Sequence, residues 1–344
     1  MKGLVPQLRN MSMISKLFLI LAVTFLTQTV NADWVRQESN SLAWFRDVYF
    51  LDHKKGWIVG SDGVMLTTED GGTTWTYRKK FTTDTLLQIY FENRSKGWLL
   101  CQRNIYARGN DPMSYLLRTE DGGESWNKVE FPDAGRERMT RLLFHNDGRA
   151  TAFGEGGVFY GLKAETAQWK KSQTGLRYLL LDGAYSNNRN GAIVGAAGTI
   201  LFTDDGGLSW AKATLLGDLD TRFNAVDFAL KAGWAVGSKG RIFRSVGVRL
   251  WRQVDSGVSV DLNDVYFINP TDGWAVGDNG VIIRSNDSGL TWTDGGSKTT
   301  HRLERVVFSN GRGWAVGHGG TVLTYDEAGP GHPSGPKPVL MRKS

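Results

Sequence analysis

A chain of 344 residues carrying 43 glycines and 13 tryptophans but only 8 prolines suits many short strands and tight turns better than helices. Its formal charge of +6 does not mark a nucleic-acid binder. Lys2, Arg9, Lys16, Lys337, Arg342 and Lys343 sit in two ends that hold no acid, and 35 basic residues face 35 acidic ones between Asp33 and Gly329. The one cysteine, Cys101, excludes an intrachain disulfide, so stability must come from the core and from closure of the fold.

Residues 1–32 read as a secretory signal peptide. A basic stretch precedes an apolar run from Leu17 to Leu26, and Val30-Asn31-Ala32 offers a small-x-small cleavage site before Asp33. The run is shorter than the roughly 20 residues a spanning helix needs, so cleavage and export to the periplasm or the medium are expected. No cysteine follows the run, which argues against a lipoprotein. Met11 and Met13 offer further possible starts within the long basic stretch.

From Asp33 onward the chain repeats itself. Trp34, Trp75, Trp126, Trp169, Trp210, Trp251 and Trp292 are spaced by 41 residues in four of the six intervals, with one of 43 and one of 51. A period of that size means one supersecondary unit copied along the chain, each burying its apolar face on the next. First strands are expected near 44–51, 85–92, 138–145, 179–186, 222–229, 261–268 and 302–309. The second strand recurs as Gly56-Trp57-Ile58-Val59-Gly60, Gly233-Trp234-Ala235-Val236-Gly237, Gly273-Trp274-Ala275-Val276-Gly277 and Gly313-Trp314-Ala315-Val316-Gly317. Four short apolar runs per copy, separated by Asn, Asp and Gly, predict a four-stranded meander. Seven copies predict an all-β, seven-bladed β-propeller over 33–329, followed by a disordered tail, 330–344.

The seventh copy lacks a fourth strand, and Trp34 stands in register at the other end of the chain. The N-terminal strand is therefore expected to complete the last blade and hide both sheet edges. Copy three has lost the Trp of strand two and carries Phe153. Copy two carries extra residues, since Trp98 and Arg118 are 20 apart where Trp274 and Arg284 are 10 apart; this insert contains Cys101, Arg103 and Arg108.

Four copies carry Ser/Thr-x-Asp-x-Gly-x-Thr/Ser-Trp between strands three and four, with Asp70, Asp121, Asp205 and Asp287. The motif resembles the Asp-box of bacterial neuraminidase repeats. Its reading here is structural: the Asp accepts backbone N–H bonds, the Gly takes a left-handed conformation and the Trp packs between strands. The Gly-Trp-Ala-Val-Gly strand followed by this turn at a 41-residue period resembles the photosystem II stability and assembly factor family, over about residues 33–326. The resemblance implies a non-enzymatic role, binding a newly made membrane subunit and helping its assembly. In a photosynthetic organism it would also imply the thylakoid lumen.

Aligned first strands place Arg138, Arg222 and Arg302 in the column of Asp261, with Arg46, Arg141, Arg177 and Arg305 nearby. With Arg103 and Arg108 of the insert they would form an arginine collar at one mouth of the channel, suited to carboxylates or phosphates. The competing reading pairs them with Asp47, Asp182, Asp264 and Glu304 as ordinary surface ion pairs. The expected partner is a membrane-protein client, with no nucleic acid, no cofactor and a monomeric state.

The rival class is a sialidase-like glycosidase or carbohydrate-binding propeller. Such an enzyme would need an Arg-Ile-Pro segment, where this chain has only Arg241-Ile242-Phe243, and two positioned carboxyls, for which Glu155, Asp111 and Glu304 are undistinguished candidates. His53, His145, His301, His318 and His332 are dispersed and show no metal-ligand spacing, and no catalytic residue is assigned.

Overall fold

The structure, a computed structural model, describes residues 33–326 except 105–110, 146, 164–167, 174 and 176. The signal-peptide and tail segments lie outside the described residues. The chain forms seven antiparallel meanders. In chain order their first strands are Phe45–Phe50, Thr85–Phe91, Met139–Phe144, Leu180–Tyr185, Phe223–Ala229, Leu262–Phe267 and Leu303–Ser309. First strands of neighbouring blades pack on one another all round, including the last on the first. The architecture is the expected seven-bladed propeller.

Closure is as expected. Trp34–Gln37 pairs antiparallel with Val322–Asp326, Trp34 opposite Tyr325 and Gln37 opposite Val322, and so supplies the fourth strand of blade seven. Trp34 is fully buried and packs on Trp274, Phe308 and Tyr325.

Blade five departs from the four-stranded expectation. Thr214–Leu216, in the connection from blade four, pairs in parallel with Leu250–Val254 and adds a fifth strand. It covers an outer edge that would otherwise offer unpaired backbone groups.

The repeat is explained by how one blade locks to the next. In four blades the strand-two Trp lies against the last aromatic of the next blade's first strand: Trp57 on Phe91, Trp234 on Phe267, Trp274 on Phe308 and Trp314 on Phe50; blade four has Ala192 in this column. Gly72 and Gly289 of the Asp-boxes line two of these slots. Both have positive φ, and a Cβ on either would meet the indole of Trp314 or Trp234 at 2.4 or 2.3 Å. Copy three, where Thr151 stands in the Trp column two residues before Phe153, solves the problem differently. His145 from the first hairpin turn packs on Tyr185 of blade four, ring centroids 4.0 Å apart and planes inclined by 53°. Burial first, then Arg149, pushes the His145 imidazole down to about 4, against the opposing pull of Asp147.

The Asp-boxes are turn locks. Asp287 accepts hydrogen bonds from the Ser285 and Thr291 hydroxyls and from the N–H groups of Leu290 and Thr291. These bonds, that of Thr291 foremost, hold its carboxyl down at about 2.

Candidate binding face at the channel mouth

Each first strand carries a β-bulge one residue after its start, between Phe45 and Asp47 in blade one and at the matching place in the other six. The bulge sorts the residues around the channel into three tiers.

The upper tier is the rim, formed by Trp44, Thr85, Arg138, Leu179, Arg222, Asp261 and Arg302. Backbone carbonyls of this column accept from the first residue of the turn after strand two: Trp44 from Ser61, Arg138 from Glu155, Leu179 from Ala196, Arg222 from Ser238, Asp261 from Asp278 and Arg302 from His318. The column read from sequence is therefore one structural position, and Arg138, Arg222 and Arg302 share it. The Asp-box turns lie at the opposite end of the strands, so the two faces of the ring are chemically distinct.

The middle tier holds the bulged residues Arg46, Leu87, Thr140, Leu181, Asn224, Asn263 and Glu304. Several of them bond to backbone carbonyls at the start of the next blade's first strand: Thr140 to Leu180, Asn224 to Leu262 and Asn263 to Leu303.

The lower tier is Asp47, Gln88, Arg141, Asp182, Ala225, Asp264 and Arg305. Here a carboxylate or amide of one blade accepts a backbone N–H of the next: Asp47 from Ile89, Gln88 from Leu142, Asp182 from Val226 and Asp264 from Val306. Arg305 sits among three carboxylates, 2.7 Å from Asp264, 3.5 Å from Asp47 and 3.6 Å from Asp182, while Arg141 lies 2.6 Å from Asp182. Both arginines are only 6% exposed. Together these groups form an ionic plug that ties blades one, three, four, six and seven across the axis.

The nine arginines singled out from sequence therefore do not share one surface. Arg141 and Arg305 belong to the plug and are withdrawn from solvent. Arg138, Arg222 and Arg302 occupy the rim, and Arg46 lies just beneath it. Arg177 is exposed in the connection before blade four, with no ion pair among the described residues. Arg103 is turned into its own loop: its Nε donates to the Pro112 carbonyl and its guanidinium lies 3.4 Å from Asp111 and over Tyr115. Arg108 lies outside the described residues.

The rim arginines have acidic neighbours. Arg138 is 3.8 Å from Glu155, Arg222 is 3.3 Å from Asp261, and Arg302 is 2.9 Å from Asp278 and 2.5 Å from Glu304. At the junction of blades seven and one the balance is thinner. Glu304 also takes the Trp44 indole N–H and is the carboxylate nearest Arg46, at 4.0 Å. Arg46 stacks on Trp44, 4.3 Å from the ring centroid. Burial holds its guanidinium below the ordinary value; Glu304 opposes this, and Arg302 and Arg141 add to it. An anion reaching this point would meet two guanidiniums that share Glu304, one of them, Arg302, also paired with Asp278.

Glu155, Asp111 and Glu304, the carboxyls weighed for glycosidase chemistry, are each engaged with an arginine. Among the described residues no group of three or more His, Cys, Asp and Glu side chains could hold a metal ion, and no helix is long and apolar enough to cross a membrane.

Fold and turns together define an Asp-box β-propeller, with seven blades and a ring latched by its own N-terminal strand. Within that class the chain belongs to the family described as photosynthesis system II assembly factor YCF48, whose model matches residues 26–134, 162–247 and 243–332. The photosystem II assembly protein Ycf48 of Synechococcus sp. (strain JA-3-3Ab) is 26% identical over 195 residues, 55% of this chain and 55% of that protein. The chain thus spans about half the length of that relative. The solved structure of YCF48 from Cyanidioschyzon merolae has the same fold, with a TM-score of 0.70 and 20% identity, covering 86% of this chain and 100% of that one. So does a structure of YCF48 bound to D1 peptide, with a TM-score of 0.69 and 19% identity, covering 87% and 96%.

Proposed function

We propose that this protein is an exported, non-enzymatic assembly factor that holds a carboxylate-bearing segment of a membrane-protein client on the rim face of its propeller. Membership of an assembly-factor family supports the role, and the relative solved with a D1 peptide supports a polypeptide as the kind of ligand. The observation that carries the site is the junction of blades seven and one, where Arg46 and Arg302 share Glu304 beside the half-buried Trp44. A peptide carboxylate can compete there for guanidinium donors through paired hydrogen bonds, while the indole offers an apolar platform. Arg138, Arg222 and Arg177 extend the same face. Arg141 and Arg305 serve it indirectly by holding the ring beneath. The compartment on this reading is the periplasm, or the thylakoid lumen in a photosynthetic cell.

The test is capture from detergent-solubilised membranes, comparing the native protein with a variant carrying Arg138→Glu, Arg222→Glu and Arg302→Glu. Unchanged thermal unfolding would show the variant folded. An integral membrane protein retained by the native chain and lost by the variant is the expected result. Equal capture by both would remove the rim from the mechanism.

A further inference from the structure

The opposite face carries a feature that the assembly role does not use. Five aliphatic side chains stand out from the Asp-box face of blades four, five and six: Leu208 (81% exposed), Leu230 (73%), Val246 (74%), Leu250 (41%) and Leu290 (57%). Leu208 and Leu290 occupy the same position of their Asp-box turns, where blades one and two have Thr73 and Glu124. Among the Asp-box turns, aliphatic tips are thus found in blades four and six and not in blades one and two.

Hydrogen bonds tie these tips into one surface. Gly247, next to Val246, donates to the carbonyl of Lys231, next to Leu230. Arg244 and Trp234 of blade five both donate to the Ser288 carbonyl in the Leu290 turn. Arg249, next to Leu250, pairs with Asp204 in the Leu208 turn. Aliphatic tips projecting separately from tight turns make a studded surface, which suits a fluid apolar phase.

The positions of the chain ends point to the occupant. In blade seven the turn between strands three and four is missing, and the two ends take its place. The chain enters at Trp34 and leaves at Asp326, both on the Asp-box face and one blade beyond Leu290. The segment following Asp326 contains Lys337, Arg342 and Lys343, and no acid beyond Glu327. Exposed Lys231 and Arg189 flank the tips, as does Arg249, which is paired with Asp204; Asp205 and Asp287 are bonded within their own turns. Apolar tips with basic side chains around them, and a basic tail leaving from the same face, are the combination that binds an anionic bilayer: aliphatic side chains enter the acyl boundary and cations meet the headgroups.

We propose that the Asp-box face of blades four to six docks on an anionic lipid surface, leaving the rim face turned away from the bilayer and open to a client. This does not depend on the rim reading, because no rim residue takes part.

The test uses the full chain with single reporter cysteines, which is practicable because Cys101 is fully buried. Val246→Cys and, on the rim side, Leu42→Cys are each labelled with an environment-sensitive fluorophore and mixed with phosphatidylglycerol or phosphatidylcholine vesicles. The expected result is a blue shift at position 246 and none at 42, with phosphatidylglycerol preferred. A variant carrying Leu208→Asp, Val246→Asp and Leu290→Asp should lose vesicle co-sedimentation by about tenfold or more, whereas the rim variant should keep it. Vesicle binding without a shift at 246 would mean tethering by a chain end alone, and would overturn the proposal. So would equal shifts at both positions, equal binding to phosphatidylcholine, or a shift at 246 that appears only with solubilised membrane protein.

Discussion

Arg305→Met is the most informative single change in this molecule, because sequence alone groups Arg305 with Arg222 and the structure separates them. Arg305 lies within 3.6 Å of Asp47, Asp182 and Asp264 in the sealed lower tier, whereas Arg222 is 45% exposed by side chain and pairs with Asp261 at 3.3 Å. Withdrawing the cation leaves carboxylates in low dielectric without their shared counter-charge, a loss of about 3–5 kcal/mol. Arg222→Met gives up a solvent-screened pair and should cost no more than about 1 kcal/mol. Urea unfolding followed by tryptophan fluorescence would measure both at neutral pH. Adding Asp264→Asn should restore part of the loss, since the amide oxygen can still accept the Val306 N–H. An Arg305→Met variant no less stable than Arg222→Met would refute the plug as a source of stability.

Three further outcomes follow from the same packing. Gly72→Ala combines positive φ with a Cβ driven onto the Trp314 indole and should destabilise by about 2 kcal/mol or more in thermal or urea unfolding. Trp34→Ala empties the latch between Trp274, Phe308 and Tyr325 and should cost about 3–5 kcal/mol, with hydrogen exchange quickening in Val322–Asp326. His145 lies below its ordinary 6.5, at about 4, so its contribution is complete above 6.5 and is lost as pH falls through that window. The loss is on the order of 3 kcal/mol, and a His145→Phe variant should show a flatter stability profile between those pH values.

The ring was legible in the sequence because its packing recurs: each Trp reports the slot it fills in the next blade, and Trp34 in register at the wrong end of the chain reports the latch. The rim column was legible for the same reason. What could not be read was the bulge. Arg46 and Arg305 both follow the start of a first strand, yet Arg46 is the bulged residue beneath the rim and Arg305, one place further on, is sealed below. A signal was available: Asp47, Arg141, Asp182, Asp264 and Arg305 share one column, followed in each strand by mostly apolar residues. Charges of both signs in a strand buried on both faces mark partners that meet across the axis. His145 carried no comparable signal, because it acts from a turn in place of a Trp that its own copy has lost. The parallel strand Thr214–Leu216 was missed because it lies in a connection outside the repeat.

The latch also imposes an order in time. Val35 and Thr324, which meet across it through a hydrogen bond, are separated by 289 positions in the chain. A polypeptide emerging from its N-terminus presents the Trp34 strand first and the strand it must pair with last. Until then blade seven is incomplete and the nascent ring keeps two unpaired edges. A chain cut short anywhere before Val322 has nothing for Trp34 to join, so the circle closes only on a chain that carries both of its strands.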